Sequence, residues 1–252
     1  METKKINLGN FTAKIIQDED NQGPREWDNL GTMVCEHRRY SLGDSNHGVD
    51  LSSSNSWDDH EKAIKKVFGK DCVLLPIYMI DHSGQSVSTS PFSCPWDSGR
   101  VGSIVASRKD IRENFGIKRV TKEKLDHSIQ ILKGEVETYD QYLQGDVYGY
   151  QIVENMVDDE GNEYEADRDS CWGFYGLEII EEEVNQLLKG YKEEQDKVME
   201  DENQKPKCDH LFGLANLEEE DEFVMVHAED AIDFEAGNNT KFQFCPMCGE
   251  KL

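Results

Sequence analysis

The stretch DCVLLPIYMID, Asp71 to Asp81, is a nearly continuous apolar run closed at each end by an aspartate. That pattern belongs to a β-strand buried on both faces, which places it near the centre of a sheet; Pro76 removes one ladder donor from it. Downstream, HSGQSVSTSPFSCPWDSG (82–99) reads as a loop and RVGSIVAS (100–107) as the next strand. Ser107 is placed to cap a short helix ending at Phe115, and Thr121 to cap a longer one, KEKLDHSIQILKGEVETYDQYLQ (122–144). On the longer helix Leu125, Ile129, Leu132, Val136, Tyr139 and Leu143 form one apolar stripe. DVYGYQIVENMVDDEGNEYEAD (146–167) predicts a hairpin with Asp159-Glu160-Gly161-Asn162 as its turn.

Upstream of the run, NFTAKIIQDED (10–20) and GTMVCEHRRY (31–40) read as short strands separated by the loop NQGPREWDNL. WDDHEKAIKKVFG (57–69) carries Ala63, Ile64, Val67 and Phe68 at helical spacing, with Asp58 as the expected N-cap and Gly69 as the stop. Strands and helices mixed without a regular βαβ alternation give an α+β class, with a mixed or antiparallel sheet and packed helices. GLEIIEEEVNQLLKGYKEEQDKVMEDENQKPK (176–207) begins with helical periodicity and ends polar, and Pro206 marks a boundary. The expected organisation is a main domain over 1–177, a helix and polar linker over 178–207, and a small module over 208–252.

That last module contains CDH (208–210) and ends in FCPMCGEKL (244–252). Cys208, His210, Cys245 and Cys248 supply three thiolates and an imidazole, a donor set suited to tetrahedral structural Zn2+ in a zinc-ribbon-like fold. The C-P-M-C-G half has the two-residue gap of a zinc knuckle, and Gly249 offers the open dihedral its turn needs. His227, inside the connecting loop, is the rival to His210.

The 252-residue chain carries 52 acidic and 27 basic residues, a formal charge of −25. Residues 178–252 hold 21 acids against 7 bases, residues 1–177 hold 31 against 20. Direct binding to nucleic acid would work against this repulsive field, so the acidity points to a protein partner with a basic groove. No apolar run approaches a membrane span, and METKKINLGNFTAK lacks the apolar stretch of a signal peptide, so the expected location is the cytoplasm. Seven cysteines in a reducing compartment read as ligands, core residues or a nucleophile rather than as disulfides.

Reactive side chains concentrate in EWDNLGTMVCEHRRYSLGD (26–44), DHSG (81–84), SPFSCPWDSG (90–99) and DSCWGFYG (169–176). An enzyme would draw on Cys94 or Cys171 as nucleophile, His82 or His37 as base, and Asp97 or Asp81 to orient the imidazole. Asp81, His82 and Asp97 also form a set of hard ligands for a hydrolytic metal. Against both, Cys35, Cys72 and Cys171 lie beside apolar or aromatic residues, where a free cysteine ordinarily packs as a small hydrophobe. Along a strand His37 and Arg39 would share one face and Arg38 and Tyr40 the other, which yields either a small anion pocket or ordinary ion pairs. No phosphate-loop, dinucleotide or kinase signature is present.

The stretches W-D-N-L-G-x-M-x-C-x-H-R-R-Y, C-P-W-D-S-G and S-C-W-G-F-Y-G, spread over residues 12–176, resemble strings recurring in an uncharacterised family of bacteriophage and mobile-element proteins. The resemblance implies a phage-borne accessory protein of the bacterial host cytoplasm and carries no catalytic assignment. Joined to the charge, it leads to the expectation of an anti-defence or anti-transcription protein that mimics DNA. The alternative expectation is a hydrolase or nuclease-like enzyme centred on His37, His82, Cys94 and Asp97.

The zinc reading has a direct check. Protein purified without chelators should carry about one zinc per chain, and Cys248→Ser should release it and unfold the C-terminal segment while residues 1–177 stay folded. Metal analysis finding no zinc would remove the assignment.

Overall fold

The computed structural model describes residues 2–52, 54–82, 84–94, 96–204, 235–236 and 240–241. The chain divides into two compact units, Met1–Gln186 and Leu187–Leu252. The first is α+β and contains two antiparallel four-stranded sheets.

One sheet has the order β3-β6-β4-β5, from Thr32–Cys35 (β3), Val73–Asp81 (β4), Gln85–Ser88 (β5) and Ser98–Ala106 (β6). The apolar run is β4, and with β6 it forms the interior pair of strands. Pro76 faces Ser103 in the β4–β6 ladder and lies outside the β4–β5 ladder, which begins only at Tyr78. Its missing N–H therefore disrupts no pairing with β5. Successive residues point to opposite faces, and both faces are covered. Met33, Ile77 and Ile104 pack on one side with Leu132, Val136 and Tyr139 of the long helix α3 (Lys122–Gln144). Val34 and Val105 pack on the other with Ile64 of α1 (Trp57–Phe68). Each such fully buried aliphatic side chain contributes about 1.5–3 kcal/mol.

The helices start and stop largely as their sequences dictate. Ser107 caps α2 (Arg108–Phe115) in a reciprocal capping box with Asp110, and the Thr121 hydroxyl accepts the Lys124 N–H at the start of α3. At α1 the cap is Ser56, whose Oγ accepts the Asp59 N–H at 3.2 Å, so the chain enters the helix two residues before the expected Asp58. Two further expectations are corrected. QSVS, assigned to a loop, is the edge strand β5, pinned where Asp140 of α3 accepts the Val87 N–H at 2.7 Å. HRRY does not continue β3: the His37 Nδ1 accepts N–H bonds from Arg39 (3.3 Å) and Tyr40 (3.2 Å), turning the chain out of the sheet.

The other sheet has the order β1-β2-β7-β8, from Glu2–Leu8 (β1), Phe11–Gln17 (β2), Val147–Val157 (β7) and Glu163–Tyr175 (β8). Ala13 lies opposite Ile152 and Ile15 opposite Tyr150, all buried. An ion pair from Lys4 to Glu181 at 2.7 Å ties the first turns of α4 (Leu177–Gln204) to β1. The β7–β8 turn forms where expected, the Asp158 carboxylate accepting N–H bonds from Glu160 (2.9 Å) and Asn162 (2.8 Å). β8 runs on through SCWGFY, which was not read as a strand. Helix α4 is continuous to Gln204, across the segment expected to be a polar linker.

In the second unit a two-residue ladder pairs Glu235–Ala236 (β9) with Thr240–Lys241 (β10). Cys208, His210, His227, Cys245 and Cys248 lie outside the described residues.

A largely buried ionic knot ties the loop before β3 to α3. Arg25, in a short 3-10 turn (Pro24–Glu26), donates to both Asp44 oxygens (2.9 and 2.8 Å), to Glu135 Oε2 (3.1 Å) and to the Gly31 carbonyl (2.6 Å). Glu135 accepts the N–H groups of Leu30 (2.8 Å) and Gly31 (3.1 Å), and Asp44 accepts that of Met33 (2.8 Å). Burial pushes the Glu135 carboxyl above its ordinary value, against the opposing pull of the Gly31 N–H and Arg25. At Gly31 a Cβ would stand 2.4 Å from Leu132 Cδ2 and 2.7 Å from Ile104, so the helix comes this close only over glycine.

Arg25→Met leaves two carboxylates without their cation and should destabilise the unit by about 3–5 kcal/mol. Gly31→Ala should cost about 1–3 kcal/mol through overpacking. Gly99→Ala, where a Cβ meets nothing within 4 Å, should stay within about 0.5 kcal/mol of the parent. Urea denaturation midpoints rank the three, and an Arg25→Met protein as stable as the parent would contradict the role given to the knot.

Candidate functional site

Two regions concentrate exposed polar chemistry: the end of β4 with the start of β6, and the β7–β8 hairpin. At the first, the Asp81 N–H donates to the Asp97 carbonyl at 3.0 Å, which brings two expected site stretches side by side. His82 Nδ1 lies 3.1 Å from Asp97 Oδ2, and the Cys94 thiol reaches the same oxygen at 3.6 Å. Asp81 turns the other way: its Oδ2 accepts the Tyr40 hydroxyl at 3.0 Å and pairs with Arg39 at 3.6 Å. His37 stacks on Tyr40 with ring centroids 4.9 Å apart and planes 4° from parallel.

His82, Cys94 and Asp97 thus come together, but in an order that does not activate a nucleophile. A thiol nucleophile needs the imidazole between itself and the carboxylate, so that the base takes the thiol proton and the acid orients the base. Here Asp97 stands in the middle and binds both. Neither the thiol nor the imidazole has the other as its partner. His82 is 73% exposed, so water competes with Asp97 for its ring. His37 is engaged with the backbone of its own turn through Nδ1. Among the described residues no group of three or more His, Cys, Asp or Glu is arranged to hold a metal ion, so Asp81, His82 and Asp97 do not assemble the metal set expected of them.

The remaining thiols divide by surroundings. Cys35 is packed under Gly43 and Gly102, and burial, followed by the Asp44 charge, pushes its thiol up to about 12. Burial likewise raises Cys72. Cys171 is exposed, which corrects its expected place in a core.

The WDNLG and SCWGFYG strings meet in space, and several of their residues have structural work. Trp27 of WDNLG stands edge-on to Tyr175 of SCWGFYG at 5.3 Å, and the Tyr175 hydroxyl donates to the Gln22 carbonyl at 2.8 Å. Trp172 lies over Gly149, where a Cβ would come within 2.2 Å of its ring. Sequence reasoning missed His60, buried beside Trp57 with neither ring nitrogen hydrogen-bonded among the described residues. Burial, followed by the Arg100 charge, lowers its pKa. Its spacing on α1 was the only available signal.

The hairpin is strongly acidic. Residues 147–175 hold eight carboxylates and one cation, Arg168, which is bound to Glu154. Glu163, Glu165 and Asp167 are exposed on β8 and lie opposite Val157, Asn155 and Val153 of β7, which puts all three on one face. Alternate residues of a strand are about 6.6–6.8 Å apart, so these charges form a regular row. Lys14 of β2 pairs with Glu165 and Gln151 bonds Asp167, leaving the row strongly acidic.

Comparison of the chain with protein-family models, with curated proteins and with solved structures returns no match.

Brief alkylation at neutral pH should modify Cys171 readily and Cys94 more slowly, and leave Cys35 untouched until the protein unfolds. Peptide mapping by mass spectrometry reads the order. Labelling of native Cys35 at the rate of Cys171 would contradict the burial assigned to it.

Proposed function

We propose that this chain is a phage-borne accessory protein that binds a host nucleic-acid-binding protein of defence or transcription and occupies its basic groove with an acidic surface in place of DNA. The observation that carries the reading is the row of exposed carboxylates on β8, within a chain of net charge −25. Regularly spaced negative charge on a rigid sheet presents to a basic groove what a phosphate backbone presents, and the same field repels nucleic acid itself. The string resemblance supplies the phage context. A zinc-held C-terminal module, rich in acids, would add a second acidic surface.

A hydrolase centred on His82, Cys94 and Asp97 is the second reading, and the contacts within that cluster are the observation on its side. It lacks a thiol-to-imidazole contact and a water-excluding site, both of which the chemistry needs.

One assay separates the two. Cys94→Ser, His82→Ala and a variant with Glu163, Glu165 and Asp167 of the row, the Glu218–Glu222 run and Glu182 and Glu183 neutralised are compared for biological activity in the infected host. The acidic-surface reading expects both point variants to remain active and the neutralised variant to lose at least tenfold. A dead His82→Ala protein with its fold intact, beside a fully active neutralised variant, would make the chain an enzyme.

A further inference from the structure

Strand β8 is the outer strand of its sheet, and no other strand among the described residues pairs with its free side. Every second residue of such a strand turns its N–H and C=O away from its neighbour, which makes the edge a template for another strand. Register shifts interrupt β8 near Arg168 and again near Trp172, but Glu163 to Asp167 pairs regularly with Val157 to Val153. The regular part is therefore five residues long, enough for a short added strand.

Two surfaces flank this edge. One is the carboxylate row of Glu163, Glu165 and Asp167. The other is a groove of about 440 Å³ lined by Asn155, Met156, Val157, Glu163, Tyr164 and Glu165. Val157 is 64% and Tyr164 47% exposed, so the groove offers apolar surface between two acids. That combination suits a lysine or arginine side chain, whose methylene stem packs on apolar surface while its head meets a carboxylate.

Charge decides the occupant. A second copy of β8 would bring the same acids opposite each other, and like charges directly opposed across strands destabilise pairing. Residues 205–252 of this chain hold 11 acids against 4 bases and meet the same repulsion. An edge blocked to acidic strands by its own charge stays open to a basic one. We propose that the Glu163–Asp167 edge of β8 binds an extended, basic segment of a partner protein by strand addition, with lysine or arginine at alternate positions facing Glu163, Glu165 and Asp167. The proposal rests on the basic-partner reading above and assigns it a place and a mode: main-chain hydrogen bonds supply affinity, and the carboxylate row supplies register and choice.

The test uses the full-length protein and three synthetic peptides. One alternates lysine and threonine, the second is identical but N-methylated on alternate backbone amides, and the third carries glutamate for lysine. The lysine peptide should bind and slow hydrogen exchange at the outward amides of 163–167. N-methylation should weaken binding at least tenfold while leaving peptide charge unchanged, the glutamate peptide should not bind, and Glu163→Gln with Asp167→Asn should weaken the lysine peptide by a similar factor. These two residues are exposed, and circular dichroism confirms the fold of that variant. Equal binding of methylated and unmethylated peptides, or no protection at 163–167, overturns the proposal. So does protection that appears without peptide and grows with protein concentration, which identifies a second copy as the occupant. No host protein enters this test, so its failure leaves the basic-partner reading standing. Peptide binding with no basic host protein found in the infected cell would sink that reading and keep this one.

Discussion

The buried guanidinium of Arg25 is the constraint on which the first unit depends. It holds Asp44 and Glu135, which lie 19 and 110 residues away along the chain, and those carboxylates in turn hold the N–H groups of Met33, Leu30 and Gly31. One cation thereby fixes the loop entering β3, the loop leaving it, and the position of α3 over the sheet. The knot repays its desolvation through hydrogen bonds that satisfy nearly every donor and acceptor it buries. Its value is positional: Gly31 lets Leu132 and Ile104 approach to contact, and the Tyr139 hydroxyl accepts the Gly43 N–H at 3.1 Å on the far side of the loop. The WDNLG string is thus largely a folding signal.

The parts of this fold legible in the sequence are those whose periodicity is unbroken. The α3 stripe and the apolar run of β4 each report a burial pattern directly, and the capping residues Ser107 and Thr121 mark their helices without competition. Where several residues can serve, the reading slips: SSSNSWDD offers a choice of caps, and the helix uses Ser56. Edge strands are hardest to see. β5 buries only Val87, and β1 buries nothing fully, so neither shows the alternation that two sheet faces impose. Arg25 was not legible at all, because a loop arginine announces no partner 110 residues away.

At the candidate sites the sequence identified the right neighbours and left open their order. His82, Cys94 and Asp97 do meet, because the Asp81 N–H bonds the Asp97 carbonyl and draws two loops together. Which group stands between the others depends on the register of β4 against β6, and no residue string encodes that by itself. The carboxylate row on β8 follows from plain strand alternation, Glu163, Glu165 and Asp167 standing two residues apart. It ends where a register shift at Arg168 sets Asp169 apart, its carboxylate accepting the Tyr150 hydroxyl at 2.9 Å.

The proposed phosphate-mimicking face and the proposed strand-accepting edge make the same physical demand of a partner, which is dense positive charge. On this proposal, charge is what binding reads. It is tested most directly by the salt dependence of affinity for the basic protein captured from infected cells. If carboxylates replace phosphates, log Kobs should fall linearly and steeply with log[salt], and duplex DNA should compete for the same protein. An affinity that is flat across the salt range and indifferent to added DNA would contradict the account.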